Sequence, residues 1–225
     1  MEDRVHPVIA NLREMILRMG AQAEAILDKA GRALRERDVD LAEEVTRDDL
    51  EIDRLDVEID EAVLKALALR APVAEDLRGV VATKTMATDL ERIGDLARNI
   101  AKSACRLAER PAIDLTARLE PLEDGARGLL HRALDAYSSH DPDAARRVIE
   151  DDDYIDELQD RIVLDVIEAM GSSPGIAPQA VDVILVAESL ERIGDHATNL
   201  AEDVILIAEA RNVKHAEKLK TVGNR

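Results

Sequence analysis

Apolar residues recur along this chain at steps of three and four. Leu12, Met15, Ile16, Met19, Ala23, Ile26 and Leu27 trace one face of a helix predicted from about Asp3 to Arg37. Val45, Ile52, Leu55, Ile59, Val63 and Leu67 do the same for a helix that begins near Asp40 and ends at Pro72. A third stripe of Val80, Ala87, Leu90, Ile93, Ala97, Ile100 and Ala104 predicts a helix opening near Val73. Arg110-Pro111 breaks the pattern, and the plan then recurs over Leu115–Ser139, Asp143–Met170 and Pro178–Asn212. Asp141-Pro142 reads as an N-cap followed by proline in the first turn, and residues 171–175 (Gly-Ser-Ser-Pro-Gly) as a loop. The fold class this predicts is all-α.

The chain also contains itself. Leu90 to Ala101 reads LERIGDLARNIA and Leu190 to Ala201 reads LERIGDHATNLA, so nine of twelve positions agree at an offset of 100. Leu96/His196 and Arg98/Thr198 are two of the three mismatches. Upstream, residues 49–55 (DLEIDRL) face residues 152–158 (DDYIDEL) at an offset of 103. Two matches in the same order indicate a duplicated unit of about one hundred residues rather than a short solenoid repeat. The predicted architecture is therefore two tandem three-helix bundles, six long helices related by an internal pseudo-twofold. The units span residues 1–110 and 111–212, and a polar tail covers 213–225.

Composition narrows the chemistry. The net charge is −18, and Tyr137 and Tyr154 are the only aromatic residues among 225. The core must be aliphatic, and a strand-rich fold is disfavoured. Nucleic-acid binding is disfavoured too, because the charge repels phosphates and no aromatic platform exists for stacking. The lone Cys105 rules out an internal disulfide and any multi-thiolate zinc site, and sits beside the apolar stripe as a small core residue. The charged start leads into no apolar segment, and no stretch approaches the roughly 20 apolar residues of a membrane span, so a cytoplasmic protein is expected.

On the third helix of each unit, Glu91 and Asp95 lie one turn apart, with Asn99 a turn further, and Glu191, Asp195 and Asn199 repeat them. On the second helix, Asp49, Asp53, Asp56 and Asp60 share one face, and Asp152 and Asp156 are the counterparts of the first two. Adjacent packing of these helices brings two acidic faces together. Either they are ordinary solvated faces, or an oxygen-ligated cation relieves their repulsion. The candidate metal ligands are Asp49, Asp53, Glu91 and Asp95 in one unit, and Asp152, Asp156, Glu191 and Asp195 in the other.

Gly94 and Gly194 sit inside strong helices near the apolar stripe, which points to close approach of a neighbouring helix. Arg92 and Arg192 stand three residues before Asp95 and Asp195, at ion-pair spacing. His196 follows Asp195 but replaces Leu96 in the repeat. There is no HExxH, no glycine-rich phosphate loop and no nucleophile–base set, so no catalytic residue is assigned.

The two copies of ERIGD, with Ala71-Pro72-Val73-Ala74-Glu75-Asp76-Leu77-Arg78 leading into the first, resemble the PhoU family, accessory proteins of the bacterial high-affinity phosphate transporter. The second unit departs from that lead-in, reading Ala177-Pro178-Gln179-Ala180-Val181-Asp182. The resemblance covers nearly the whole chain and implies two three-helix bundles side by side. It implies a non-enzymatic cytoplasmic regulator of phosphate uptake and phosphate-starvation signalling. Its implied partners are the ATPase of a phosphate ABC transporter and a sensor histidine kinase, reached at the membrane only through those partners, and a second copy in a homodimer. It also implies a multinuclear iron or other divalent metal site on the Glu/Asp-x-x-x-Asp pairs. A carboxylate-based metal-handling protein, or a PhoU-like partner of another transporter, stands as the alternative.

Overall fold

Every regular element among residues 6–214, which the computed structural model of the chain describes, is helical. Helix α1 spans His6–Glu36, α2 Val39–Arg70, α3 Ala74–Ala108, α4 Glu120–Ser139, α5 Pro142–Glu150, α6 Asp152–Ser172 and α7 Ala177–Glu209. The helix start expected at Asp3 and the tail beyond residue 214 lie outside the described residues. Helices α1, α2 and α3 pack on one another as one bundle, and α4, α5, α6 and α7 as a second.

The ends follow from local chemistry. Asp38 caps α2 by accepting the Leu41 N–H at 3.0 Å, and Asp141 caps α5 by accepting from Asp143 and Ala144, both at 2.9 Å. Arg37, held at φ 56°, donates to the carbonyls of Leu107 (2.8 Å) and Ala108 (3.1 Å) and so closes the C-terminus of α3. The helix expected from Leu115 instead begins as a 3-10 turn, Asp114–Leu119, and becomes α4 where Pro121 enters the first turn. Where the periodicity predicts one helix over Asp143–Met170, α5 and α6 run end to end with a kink at Asp151 (φ −87°, ψ −5°). Its N–H keeps the helical bond to the Arg147 carbonyl at 3.2 Å, while its carboxylate is drawn to Arg132 at 2.5 Å. Four consecutive carboxylates, Glu150 to Asp153, crowd the kink, and like charges on adjoining turns weaken the helix there.

The repeated stripe is the core. Leu90, Ile93, Ala97, Ile100 and Ala101, with Leu190, Ile193, Ala197, Leu200 and Ala201, are all at most 1% exposed. Each fully buried Leu or Ile stabilises the fold by roughly 1.5–3 kcal/mol. Helices α3 and α7 join the bundles. Thr85 bonds Asp203, Asp89 bonds His196 (2.8 Å) and Asn199 (3.1 Å), and Arg106 bonds Asp182 (2.6 Å). Partners on α7 fall as positions on α3 rise, so the two helices are antiparallel.

Candidate metal centre

The glycines of the ERIGD motifs set the geometry. A Cβ on Gly94 would lie 2.8 Å from Asp49 Oδ1 and 3.1 Å from Ile52 Cδ1. On Gly194 it would lie 3.1 Å from Asp152 Oδ1 and 3.4 Å from Ile155 Cγ2. In both repeats, then, the missing side chain lets an aspartate of the second helix settle against the third, beside Asp95 or Asp195. The expected close approach is there, and it delivers a carboxylate. Each predicted set of four faces itself across the helix pair, but the two sets are not electrostatically alike.

In the first repeat three of the four carboxylates are paired, Asp53 being the exception among the described residues. Arg98 donates to both Asp49 and Asp95 through its two terminal nitrogens. Arg92 donates to Asp95 at 3.1 Å and stands 3.4 Å from Glu91, and Lys84 reaches Asp60 and stands 3.5 Å from Asp56. Asp49 is 1% exposed. Burial pushes its carboxyl above the usual range, the Arg98 charge pulls it back, and Asp53 and Asp95 push it up again. Glu91 is raised by burial and by Asp95, with Arg92 opposing.

In the second repeat Thr198 stands where the first has Arg98, and its hydroxyl donates to the Gly194 carbonyl at 3.1 Å. Among the described residues, no Lys, Arg or His forms an ion pair with Asp152, Asp156, Glu191 or Asp195. Burial pushes Asp152 up to about 6, with the charges of Asp195 and Asp156 adding to it and the nearby Thr198 hydroxyl opposing. Burial and the same acidic neighbours, Asp195 first, push Glu191 up to about 7, against Arg192. Asp156 is raised by burial and by Asp195. Asp152 Oδ1 is buried and accepts no hydrogen bond. His196 turns to Asp89 on α3.

The donor set of the second repeat, four carboxylates with an orphaned oxygen, suits a hard cation. In the first repeat Arg98 already supplies the counter-charge. Among the described residues, no group of three or more His, Cys, Asp or Glu is arranged to hold an ion, so gripping one requires these side chains to swing together. Sequence reading of the acidic faces missed Arg98 and Thr198 as the residues that set the two apart.

Both halves of the chain match the model of the PhoU domain, over residues 16–104 and 119–204. A Zymomonas mobilis protein described as a phosphate-specific transport system accessory protein PhoU homolog is 33% identical over 205 residues, 91% of this chain and 86% of that one. The Escherichia coli K12 accessory protein PhoU is 31% identical over 207 residues, 92% of this chain and 86% of its own. The crystal structure of PhoU from Pseudomonas aeruginosa superposes with a TM-score of 0.90 at 31% identity, covering 92% of this chain and all of that one. A PhoU structure from Streptococcus pneumoniae gives 0.87 at 25% identity, covering 93% and 99%. With its doubled domain, its two ERIGD motifs and relatives matched over nine-tenths of its length, this chain belongs to the PhoU family.

Proposed function

We propose that this chain is a regulatory accessory protein of a phosphate-specific transport system, acting without catalysis from the cytoplasm. In this reading it is an adapter between the transporter's ATPase and the sensor histidine kinase of the phosphate-starvation response. The observation that carries it is the PhoU domain matched in both halves, in a chain aligned over most of its length with accessory proteins of that system. No helix among the described residues is long and apolar enough to cross a membrane. On α2, Leu50, Val57 and Leu64 are 53%, 58% and 67% exposed at seven-residue spacing, an apolar line suited to protein contact, with a partner or with a second copy. Deletion of the gene, in a strain with no second PhoU-domain gene, is expected to leave phosphate-starvation genes on in phosphate-rich medium. Normal repression in that strain overturns the reading.

The second repeat's carboxylates are proposed as the metal site, with Asp152, Asp156, Glu191 and Asp195 as ligands to iron or another divalent cation. A bound cation supplies the positive charge that Arg98 supplies in the first repeat, tying α6 to α7 as Arg98 ties α2 to α3. Thr198→Arg then competes with the metal for the same carboxylates. Titrated with Mn²⁺ or Fe²⁺, the purified chain should gain thermal stability by mass action. Thr198→Arg and Asp152→Asn should each lose that gain and about one equivalent of bound metal by elemental analysis. Equal metal content in Thr198→Arg overturns the assignment.

A further inference from the structure

We propose that the groove between α3 and α7 beside Lys102 and Arg192 binds a small phosphate-type oxyanion. The cleft encloses about 260 Å³ and is lined by Asn99, Lys102, Ser103 and Arg106 from α3, and by Ser189 and Arg192 from α7. That volume lies just below the roughly 300 Å³ at which sites for drug-sized ligands begin, so it suits a small anion rather than a nucleotide.

The charge of the groove runs against the charge of the chain. In a protein of net charge −18, three cationic side chains converge here, with Glu188 as the one acidic lining residue. Arg106 is fixed in place: its Nε donates to Asp182 at 2.6 Å and its Nη2 to Ser103 Oγ at 2.8 Å. Asp182, 4% exposed, balances that guanidinium. Among the described residues, Lys102 and Arg192 form no ion pair; Lys102 offers its charge to the groove, and Arg192 shares its own between the groove and the neighbouring Glu191. Ser103 accepts from Arg106 and keeps its own proton to donate, and the Asn99 amide adds neutral donors. Ser189 gives its proton to the Leu185 carbonyl at 2.7 Å and lends only lone pairs.

The repeat isolates this feature. Shifting each position by 100 puts Glu202, Asp203 and Leu206 in place of Lys102, Ser103 and Arg106, and Asp89 and Arg92 in place of Ser189 and Arg192. That other end of the seam is acidic and internally bonded: Asp89 takes His196 and Asn199, and Asp203 takes Thr85 and Lys214. Arg92 is engaged with Glu91 and Asp95, whereas Arg192 lines the groove. The donors have thus gathered at one end only. Glu188 adds selectivity, because hydrogen phosphate carries an O–H that a carboxylate can accept and sulfate at neutral pH carries none.

The test uses the purified full chain, at low salt and with a chelator present so that no metal brings phosphate with it. It is independent of the deletion phenotype. Calorimetric titration with inorganic phosphate is expected to show one saturable site and a rise in melting temperature. Lys102→Gln and Arg192→Gln should each weaken binding about tenfold, the loss of one charge-assisted bond, and Lys102→Gln should leave melting in the absence of phosphate unchanged, whereas Arg192 also faces Glu191. Arg161→Gln, exposed on α6, should leave binding intact. Sulfate should bind poorly to the native chain and better to Glu188→Gln. Absence of saturable phosphate binding below about 10 mM, or equal affinity in the Lys102 and Arg192 variants, overturns the proposal.

Discussion

Exchanging Arg98 for threonine, the residue its repeat carries, is expected to destabilise the chain by about 3 kcal/mol. Asp49 is 1% exposed and lies against the backbone of α3 where Gly94 has no side chain. Its charge is tolerable there because Arg98 donates to it directly. Removing one partner of a buried pair leaves the other uncompensated, at a cost of roughly 3–5 kcal/mol, and the lower figure applies because Arg98 itself is partly exposed. For a chain of this length the melting temperature should fall by roughly 6–12 °C. Asp49→Asn added to Arg98→Thr should recover most of the loss, because the buried charge is gone. The deficit should also shrink in acid, where Asp49, already raised by burial and now without Arg98, takes up a proton. A loss below about 1 kcal/mol would make the pair no more than a surface bridge.

The helices were legible because their stripes are dictated by burial. Every position of the motif assigned to the core, from Leu90 to Ala101 and from Leu190 to Ala201, lies there. Gly94 and Gly194 were legible for the same reason, since glycine is costly inside a helix and needs a neighbour to justify it. The carboxylate faces could be read from i,i+4 spacing alone. Their charge balance could not. Arg98 bridges Asp95, three residues away, and Asp49, on another helix, and only the first contact is visible in one dimension. The usable signal was the Arg98/Thr198 mismatch, one of three in a twelve-residue repeat, placed directly between two sets of acids. Arg92 and Arg192 teach the same lesson. Both sit at ion-pair spacing, yet only Arg92 pairs with its neighbouring carboxylates, and the other lines the groove between bundles. The kink at Asp151 also escaped notice, because no proline or glycine marks it; the interruption lies in a run of four acids and a pull from Arg132 on α4.

Metal-free, this chain should be more stable at pH 5 than at pH 7.5, and the second repeat should account for the difference. Asp152 is pushed up to about 6 from 3.8, and Glu191 up to about 7 from 4.5. Between the ordinary and raised values the folded protein holds protons that the unfolded chain releases. Stability is therefore full below about pH 4 and declines as pH rises through 6 to 7, with no further loss from these groups above that. The groups facing this pair are Asp153 and Asp156 on α6 and Asp195, Arg192 and Thr198 on α7, and the cation among them does not offset the acids. The gap between ordinary and raised values is worth about 1.36 kcal/mol for every pH unit it covers. Both side chains are partly open to water and titrate as a coupled pair, so screening reduces the sum to about 2 kcal/mol. That is roughly 4–8 °C in melting temperature. The rest of the chain, at −18, also repels itself more as pH rises, so the measurement is the difference between the native protein and the Asp152→Asn, Glu191→Gln double variant. The variant should show the shallower slope, and Thr198→Arg should flatten it as well by supplying the missing counter-charge. Parallel slopes in all three proteins would mean that these carboxylates titrate as ordinary surface groups. The case for a cation between α6 and α7 would then lose its electrostatic basis.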